Sequence, residues 1–129
     1  MGDGEPLEEF RRAGRTLFSF GLVKGSEGNL STFDGETLSI TRTGSRLDAL
    51  DAGDLIVGTL DGDLPGASSD LRVHRGMYRE QGAGAIAHCH PPGTAEEGTA
   101  PGEHGDYAFG ATLDDAVSEA VGRERRRVR

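Results

Sequence analysis

A short apolar segment that ends in two histidines constrains the fold of this chain more than any other feature. The segment covers residues 83–90, and its length and apolar character predict a β-strand. Side chains alternate between the two faces of a strand, so His88 and His90 share one face and Cys89 lies on the other. Two imidazoles on one face form a two-point metal clamp. A catalytic zinc site needs about three protein ligands, so a third must come from elsewhere.

The remaining apolar periodicities predict short strands and amphipathic helices in alternation. The expected elements are a helix over residues 6–21, a hairpin of strands 29–33 and 36–41 with a type I′ turn at Asp34-Gly35, a strand over 55–60, a helix capped by Ser69 that runs to about Gln81, a strand over 106–109, and a last helix capped by Thr112. Residues 91–103 are rich in turn formers and predict a loop. With no internal repeat and no linker, residues 1–129 are expected to form a single domain.

Composition agrees with a modest core and many turns. The chain has 129 residues, of which 34% are hydrophobic and only 5% aromatic, and it contains 21 glycines. A core of this kind is built from Leu, Val, Ile and Ala. We therefore expect a compact, loop-rich α/β domain.

Charge argues against nucleic acid as a partner. The net charge is -8, and the last seven residues hold five Arg and one Glu, which leaves -12 on the remainder (-8 minus +4). Basic residues elsewhere are scattered, whereas a duplex-binding domain clusters them on one face. We interpret the arginine-rich end as a solvated helix terminus, with a small anion-binding patch as the alternative. The chain shows no leader and no apolar run of membrane length, and its single cysteine excludes an internal disulfide, so we expect a cytoplasmic protein without membrane contact.

Three polar segments before the histidine pair have the character of anion sites. Residues 25–31 form a glycine-rich turn that ends at Asn29, residues 41–44 end the hairpin, and Ser68-Ser69-Asp70 opens the middle helix. Backbone N–H groups and hydroxyls at such turns and helix starts can bind a phosphate. The alternative is ordinary turn chemistry, with Asp70 in the first turn complementing the helix dipole. Beside a metal, Asp70 could instead act as a general acid or base.

Two further histidines are candidates for a site. His74 lies one turn after Asp70, and we interpret it as a packed or aspartate-bonded helix residue in preference to a metal ligand. His104 precedes a predicted strand, where its side chain can be directed into a site. Its spacing alone leaves open whether it is a third ligand.

Taken in order, these segments resemble the class II aldolase/adducin family over nearly the whole chain. The matching segments are Gly28-Asn29-Leu30-Ser31, Thr41-Arg42-Thr43-Gly44, Ser68-Ser69-Asp70 with His74 and Tyr78, Ala87-His88-Cys89-His90-Pro91, and His104-Gly105 with Phe109-Gly110-Ala111-Thr112-Leu113. Each segment is weak alone, but the ordered set is specific. The resemblance implies a three-layer α/β/α sandwich around a mostly antiparallel sheet, assembled as a homo-oligomer, commonly a tetramer.

The resemblance also implies a site. It makes His88, His90 and His104 ligands of Zn²⁺ or another divalent metal, and it places the substrate phosphate among Asn29, Thr43, Gly44, Ser68 and Ser69. Asp70 stands where the family has its catalytic glutamate. The chain is shortened between residues 91 and 103, since His104 follows His90 by only 14 residues (104 minus 90).

The function that follows from the resemblance is a zinc-dependent aldolase reaction on a small phosphorylated ketose. The metal would stabilise an enediolate while Asp70 moves the proton. An epimerase or dehydratase using the same metal site is an alternative within the family. A binding or assembly module of the adducin type, without catalysis, is the alternative from another class.

Overall fold

The computed structural model describes residues 5–90 and 106–127 of the chain. The elements in these residues are α1 (Glu5–Ser19), β1 (Asn29–Phe33), β2 (Thr37–Thr41), two single-turn 3-10 helices (Leu47–Ala49 and Ala52–Asp54), β3 (Leu55–Thr59), α2 (Leu71–Gln81), β4 (Gly84–Cys89), β5 (Asp106–Gly110) and α3 (Leu113–Arg127). Every predicted helix and strand is present, with ends that differ by one or two residues. The 3-10 turns were not predicted.

The five strands form one sheet in the order β3-β2-β1-β4-β5. Every neighbouring pair of strands is antiparallel. β1 is the central strand, and β4 lies between β1 and β5. The mostly antiparallel sheet implied by the family resemblance is confirmed.

The helices cover both faces of this sheet. On one face, α1 and α3 pack on a buried apolar cluster that includes Phe10, Leu17, Leu30, Ala87, Ala108, Ala116 and Ala120. On the other face, Tyr78 of α2 packs against a second cluster of Phe33, Leu38 and Ile86. The α/β/α sandwich is therefore confirmed. None of the described helices is long and apolar enough to cross a membrane.

β4 shows why the histidine-bearing strand is buried. Ala85, Ala87 and Cys89 belong to the cluster under α1 and α3. Ile86 belongs to the cluster under α2, and His88 follows it on that same face. Small residues on the first face allow α3 to approach the strand closely, while the second face carries the imidazoles. The predicted separation of Cys89 from the histidine pair is confirmed.

The predicted type I′ turn at Asp34-Gly35 is wrong. Such a turn needs positive φ at both central residues, but only Gly35 has one, at 101°. The Asp34 carboxylate instead accepts hydrogen bonds from the backbone N–H groups of Glu36 and Thr37, at 2.9 and 2.7 Å. Asp34, which follows β1, therefore keeps a negative φ, and the turn passes through Gly35 and Glu36.

The predicted cap of the middle helix is also wrong. The residue that caps α2 is Asp70, not Ser69, so Asp70 precedes the first turn. The reason is a preceding turn: the Ser68 N–H donates to the Thr41 carbonyl at 3.0 Å, and the Leu71 N–H donates to the Ser68 carbonyl at 3.0 Å. This turn joins the chain to the end of β2 and delays the start of the helix.

Candidate active site

Three neighbouring strands place a row of polar side chains on the α2 face of the sheet. His88 on β4 is paired in register with Asn29 on β1 and with Tyr107 on β5. The His88 ring is stacked on the Tyr107 ring, with centroids 4.0 Å apart and planes 7° from parallel. The His90 ring lies on the same side, with its centroid 4.9 Å from that of His88. The antiparallel pairing therefore brings residues from distant parts of the sequence to one point.

Asp70 reaches this row from the start of α2. Its side chain makes no capping hydrogen bond with the helix. Its Oδ2 atom instead accepts from Asn29 Nδ2 at 2.8 Å and lies 2.8 Å from His88 Nδ1. The hydrogen bond from His88, and then that from Asn29, hold the pKa of Asp70 far below its ordinary value against the opposing effect of burial. Asp70 is therefore a carboxylate at neutral pH, bonded to the sheet.

His74 lies behind Asn29 in a fully buried position on α2. Its Nε2 is 2.5 Å from Asn29 Oδ1, and its Nδ1 is 2.6 Å from Ser31 Oγ, which in turn lies 2.8 Å from the Tyr78 hydroxyl. Burial, together with the nearby His88 ring, lowers the pKa of His74 to about 3. The interpretation of His74 as a packed helix histidine is confirmed, although its partners are an amide and a hydroxyl and not an aspartate.

A pocket of about 400 Å³ opens beside this row. Its lining includes all five residues expected to bind phosphate, together with Asp70 and His90: Asn29, Thr43, Gly44, Ser68, Ser69, Asp70 and His90. The pocket is held together by the backbone, because the Thr43 N–H donates to the Gly66 carbonyl at 2.8 Å. Three segments that are far apart in sequence thus share one cavity.

The charges around the pocket are mixed. Arg42 lines it, with Nε donating to the Gly53 carbonyl at 2.9 Å. Glu27 also lines it, and its Oε1 atom is buried without a hydrogen-bond partner among the described residues. Neither Glu27 nor Tyr107 was predicted from the sequence to be a site residue. Burial and the negative charge of Asp70 raise the pKa of the Tyr107 hydroxyl.

The described residues supply two imidazoles for a metal and no complete ligand set. Across residues 5–90 and 106–127, no three His, Cys, Asp or Glu side chains are placed to hold a metal ion. His104, the expected third ligand, lies outside the described residues. The donor chemistry nevertheless fits. His88 Nδ1 lies 2.8 Å from Asp70 Oδ2 and 3.2 Å from Asn29 Nδ2, and the carboxylate is both the nearer partner and a pure acceptor, so Nδ1 carries hydrogen. In the neutral ring this makes Nε2 the nitrogen with the lone pair. Metal-binding histidines commonly donate their other N–H to a carboxylate.

Comparison with known proteins identifies the family. Residues 8–95 match the model of the class II aldolase and adducin N-terminal domain. The chain belongs to this family. Its matched region holds the pocket, Asp70 and the His88–His90 pair, so the class II aldolase sequence pattern and the site geometry fall on the same residues.

Relatives within the class II aldolase family carry enzyme names. A protein of Nocardia farcinica, named as a probable bifunctional methylthioribose-1-phosphate isomerase/methylthioribulose-1-phosphate dehydratase, is 34% identical over 94 residues, covering 68% of this chain and 17% of that protein. The L-fuculose phosphate aldolase of Methanococcus maripaludis is 33% identical over 87 residues, covering 65% of this chain and 48% of that protein.

A solved structure gives the same result. The crystal structure of L-fuculose-1-phosphate aldolase from Thermus thermophilus is 38% identical, with a TM-score of 0.62, over 67% of this chain and 46% of that chain. The matched region therefore spans less than half the length of each of these three proteins.

Proposed function

We propose that this chain is a divalent-metal-dependent lyase of the class II aldolase type that acts on a small phosphorylated ketose. One observation carries the proposal: the Asp70 carboxylate, bonded to Asn29 and His88, borders a pocket lined by every residue expected to bind phosphate. A negatively charged group beside an anion pocket and an imidazole pair is the arrangement that proton transfer next to a ketone requires.

The pocket segments bind the phosphate end of the substrate in this proposal. Thr43 and Ser69 are exposed hydroxyl residues, and Gly44 has a φ of 78°, which leaves its backbone N–H accessible without a side chain. The start of α2 adds the partial positive charge of a helix N-terminus. These groups orient the substrate so that its carbonyl lies toward Asp70 and His90.

His88 and His90 would hold the metal, with His104 as the proposed third ligand. A bound divalent cation would polarise the substrate carbonyl and hydroxyl oxygens. Asp70 accepts the proton in this scheme, and its ionised state keeps it able to do so at neutral pH. The hydrogen bond to His88 holds that imidazole so that Nε2 is the ligating atom.

A dehydratase reaction is the second candidate, because the Nocardia relative carries that name over 94 matched residues. It would use the same phosphate pocket and the same imidazoles, and it differs in which bond breaks after proton removal. Product analysis separates the two: an aldolase releases two fragments from a ketose phosphate, whereas a dehydratase releases water and keeps the carbon chain intact.

The test combines metal binding with proton exchange. The purified chain should bind one Zn²⁺ per protomer in equilibrium dialysis, and it should exchange the proton beside the ketone of dihydroxyacetone phosphate with deuterated solvent. Asp70→Asn should reduce that exchange at least about a hundredfold, since it removes a positioned base. The matched control is Asp114→Asn, which alters an exposed carboxylate paired with Arg12. A Zn²⁺-loaded chain whose exchange is no faster than that of Asp70→Asn would contradict the proposal and favour a binding module of the adducin type.

The family resemblance also implies an assembly, and the sequence features imply a location. We propose a homotetramer that works in the cytoplasm and takes neither nucleic acid nor membrane as a partner. Light scattering combined with size-exclusion chromatography measures the assembly directly, and a monomer at micromolar concentration would contradict it.

A further inference from the structure

The buried hydrogen bonds behind Asn29 have a defined direction. The Asp70 carboxylate can only accept, so the Asn29 atom 2.8 Å from its Oδ2 is the NH2 nitrogen, and the Asn29 carbonyl oxygen faces His74. A carbonyl oxygen can only accept, so His74 Nε2, at 2.5 Å, must carry hydrogen. His74 is fully buried, and its two hydrogen-bond partners are an amide and a hydroxyl, neither of which compensates a positive charge. The ring is therefore neutral and has a single N–H.

The hydrogen bonds on the other side of the His74 ring also have a defined direction. Because Nε2 holds the hydrogen, Nδ1 accepts, and the Ser31 hydroxyl donates to it at 2.6 Å. Ser31 has then used its only hydrogen, so its oxygen accepts from the Tyr78 hydroxyl at 2.8 Å. The donors therefore run in one order along this series, from Tyr78 to Ser31, from Ser31 to His74 and from His74 to Asn29.

The series ends on Asp70. With its carbonyl committed to His74, the Asn29 amide turns its NH2 group to Asp70 Oδ2, at 2.8 Å. The same oxygen lies 2.8 Å from His88 Nδ1. A reversed Asn29 amide would place its carbonyl oxygen against the carboxylate and its NH2 against the His74 N–H. Both contacts would be repulsive, and the reversed amide would gain only a carbonyl oxygen 3.2 Å from His88 Nδ1, whose hydrogen already points to Asp70. The His74 N–H and the Asp70 carboxylate therefore select the same amide orientation.

We propose that His74 is a positioning residue, which fixes the orientation of the Asn29 amide and thereby holds the Asp70 carboxylate against His88 Nδ1. Its link to metal binding rests on the proposed function, since it assumes that His88 is a ligand. The hydrogen positions themselves do not depend on that function. His74 touches neither the pocket nor the histidine pair through a hydrogen bond, and it acts on them through Asn29.

The hydrogen positions are tested on the unaltered, metal-free protein. Long-range ¹H–¹⁵N correlation spectra of the imidazoles distinguish the two neutral tautomers of each histidine. The expected result is hydrogen on Nε2 of His74 and on Nδ1 of His88. Hydrogen on Nδ1 of His74, or an equal mixture of its tautomers, would overturn the proposal whether or not the protein binds a metal.

The positioning effect is tested with a pair of substitutions. His74→Gln retains an N–H donor toward Asn29, whereas His74→Leu has none. Zn²⁺ affinity, measured by chelator competition, should fall about 10- to 100-fold in His74→Leu, the range found when the partners behind metal-binding histidines are removed. It should change less than about threefold in His74→Gln. Equal losses in the two variants, or an unchanged affinity in a folded His74→Leu, would overturn the proposal.

A control separates positioning from general destabilisation. Met77 lies on the same helix and packs against the second apolar cluster, so Met77→Ala lowers stability without altering the hydrogen-bond series. Its Zn²⁺ affinity should equal that of the unaltered protein. Should His74→Leu fail to fold, Ser31→Ala removes the donor to Nδ1 and leaves the Asn29 carbonyl in place, so hydrogen should remain on His74 Nε2 in the spectra. Hydrogen on Nδ1 in that variant would overturn the proposal. An unaltered protein that binds no Zn²⁺ would contradict the proposed function, while the imidazole spectra still decide the positioning proposal.

Discussion

At the scale of single residues, the environment of a side chain decides its charge more than its identity does. Asp70 is one methylene shorter than the glutamate of the family pattern, and it is held at the sheet by Asn29 and His88 instead of capping α2. Hydrogen bonds from these two residues keep it ionised. His74, only one turn along α2, is kept neutral by burial. Both pKa values are lowered, and the same direction of shift leaves Asp70 ionised and His74 neutral.

The neutral His74 predicts a pH-dependent stability. Its pKa is about 3 in the folded protein and 6.5 ordinarily. Above pH 6.5 His74 is neutral in both the folded and the unfolded state, so it does not contribute to the pH dependence of stability. Below pH 6.5 the unfolded chain takes up a proton that the folded chain does not, so stability falls with pH by up to about 1.4 kcal/mol per unit. Asp70 adds nothing in this window, because its depressed pKa affects stability only below about 4.

Urea unfolding of the unaltered protein and of His74→Gln, at pH 7.5, 6 and 5, measures this effect. As the pH falls from 6 to 5, the unaltered protein should lose more unfolding free energy than His74→Gln does. Parallel pH profiles would show that His74 accepts a proton in the folded state as readily as in the unfolded chain.

At the scale of elements, periodic patterns in the sequence predict the helices and strands. They do not predict contacts that depend on how neighbouring elements align. The strand over residues 83–90 was predictable because its apolar residues and its histidines follow the period of a strand. The hydrogen bonds among Asn29, His74 and Asp70 were not predictable, because they require the start of β1 to lie next to the start of α2 in the folded chain. The turn at Asp34-Gly35 was misassigned because the Asp34 carboxylate binds two backbone N–H groups.

Some pocket residues were also predictable from the sequence, and others were not. The family pattern selected Thr43, Gly44 and Ser69, and these do line one cavity. Glu27 also lines it, yet no spacing rule singles out a glutamate within a glycine-rich turn. Its carboxyl group becomes notable only when the fold buries one of its oxygens.

The packing of α1 on the first 3-10 turn gives a prediction at this scale. A Cβ added to Gly14 would lie 1.9 Å from the Leu47 carbonyl oxygen, so Gly14→Ala forces two backbone segments apart. We expect a loss of about 1–3 kcal/mol in unfolding free energy. The matched control is Gly76→Ala on α2, where an added Cβ meets nothing within 4 Å of the described structure. That change should raise stability by about 0.5–1 kcal/mol.

Chemical denaturation of the two alanine variants measures both effects. The same substitution should thus have opposite signs on the two helices. A neutral Gly14→Ala would mean that α1 can move away from the turn without loss of packing.

At the scale of the whole molecule, net charge opposes the substrate that the pocket is proposed to bind. The chain carries -8, and five of its arginines lie in the last seven residues, so the rest of the chain is more acidic than the total. Glu27 and Asp70 add two carboxylates at the pocket itself, and Arg42 is the cationic side chain that lines it in the described part of the chain. A phosphate dianion therefore approaches against a repulsive field and is retained by short-range hydrogen bonds.

This field predicts an unusual dependence on salt. Raising the ionic strength from 0.01 to 0.15 M shortens the screening distance from about 30 to about 8 Å. The association rate constant of dihydroxyacetone phosphate should rise about threefold over that range, since screening weakens repulsion between like charges. Dihydroxyacetone, which lacks the phosphate, should show no such rise. Stopped-flow binding measures both ligands. A rate that falls with salt for the phosphate ester would mean that Arg42 and the helix terminus dominate the approach, and that the acidic surface plays no part in substrate capture.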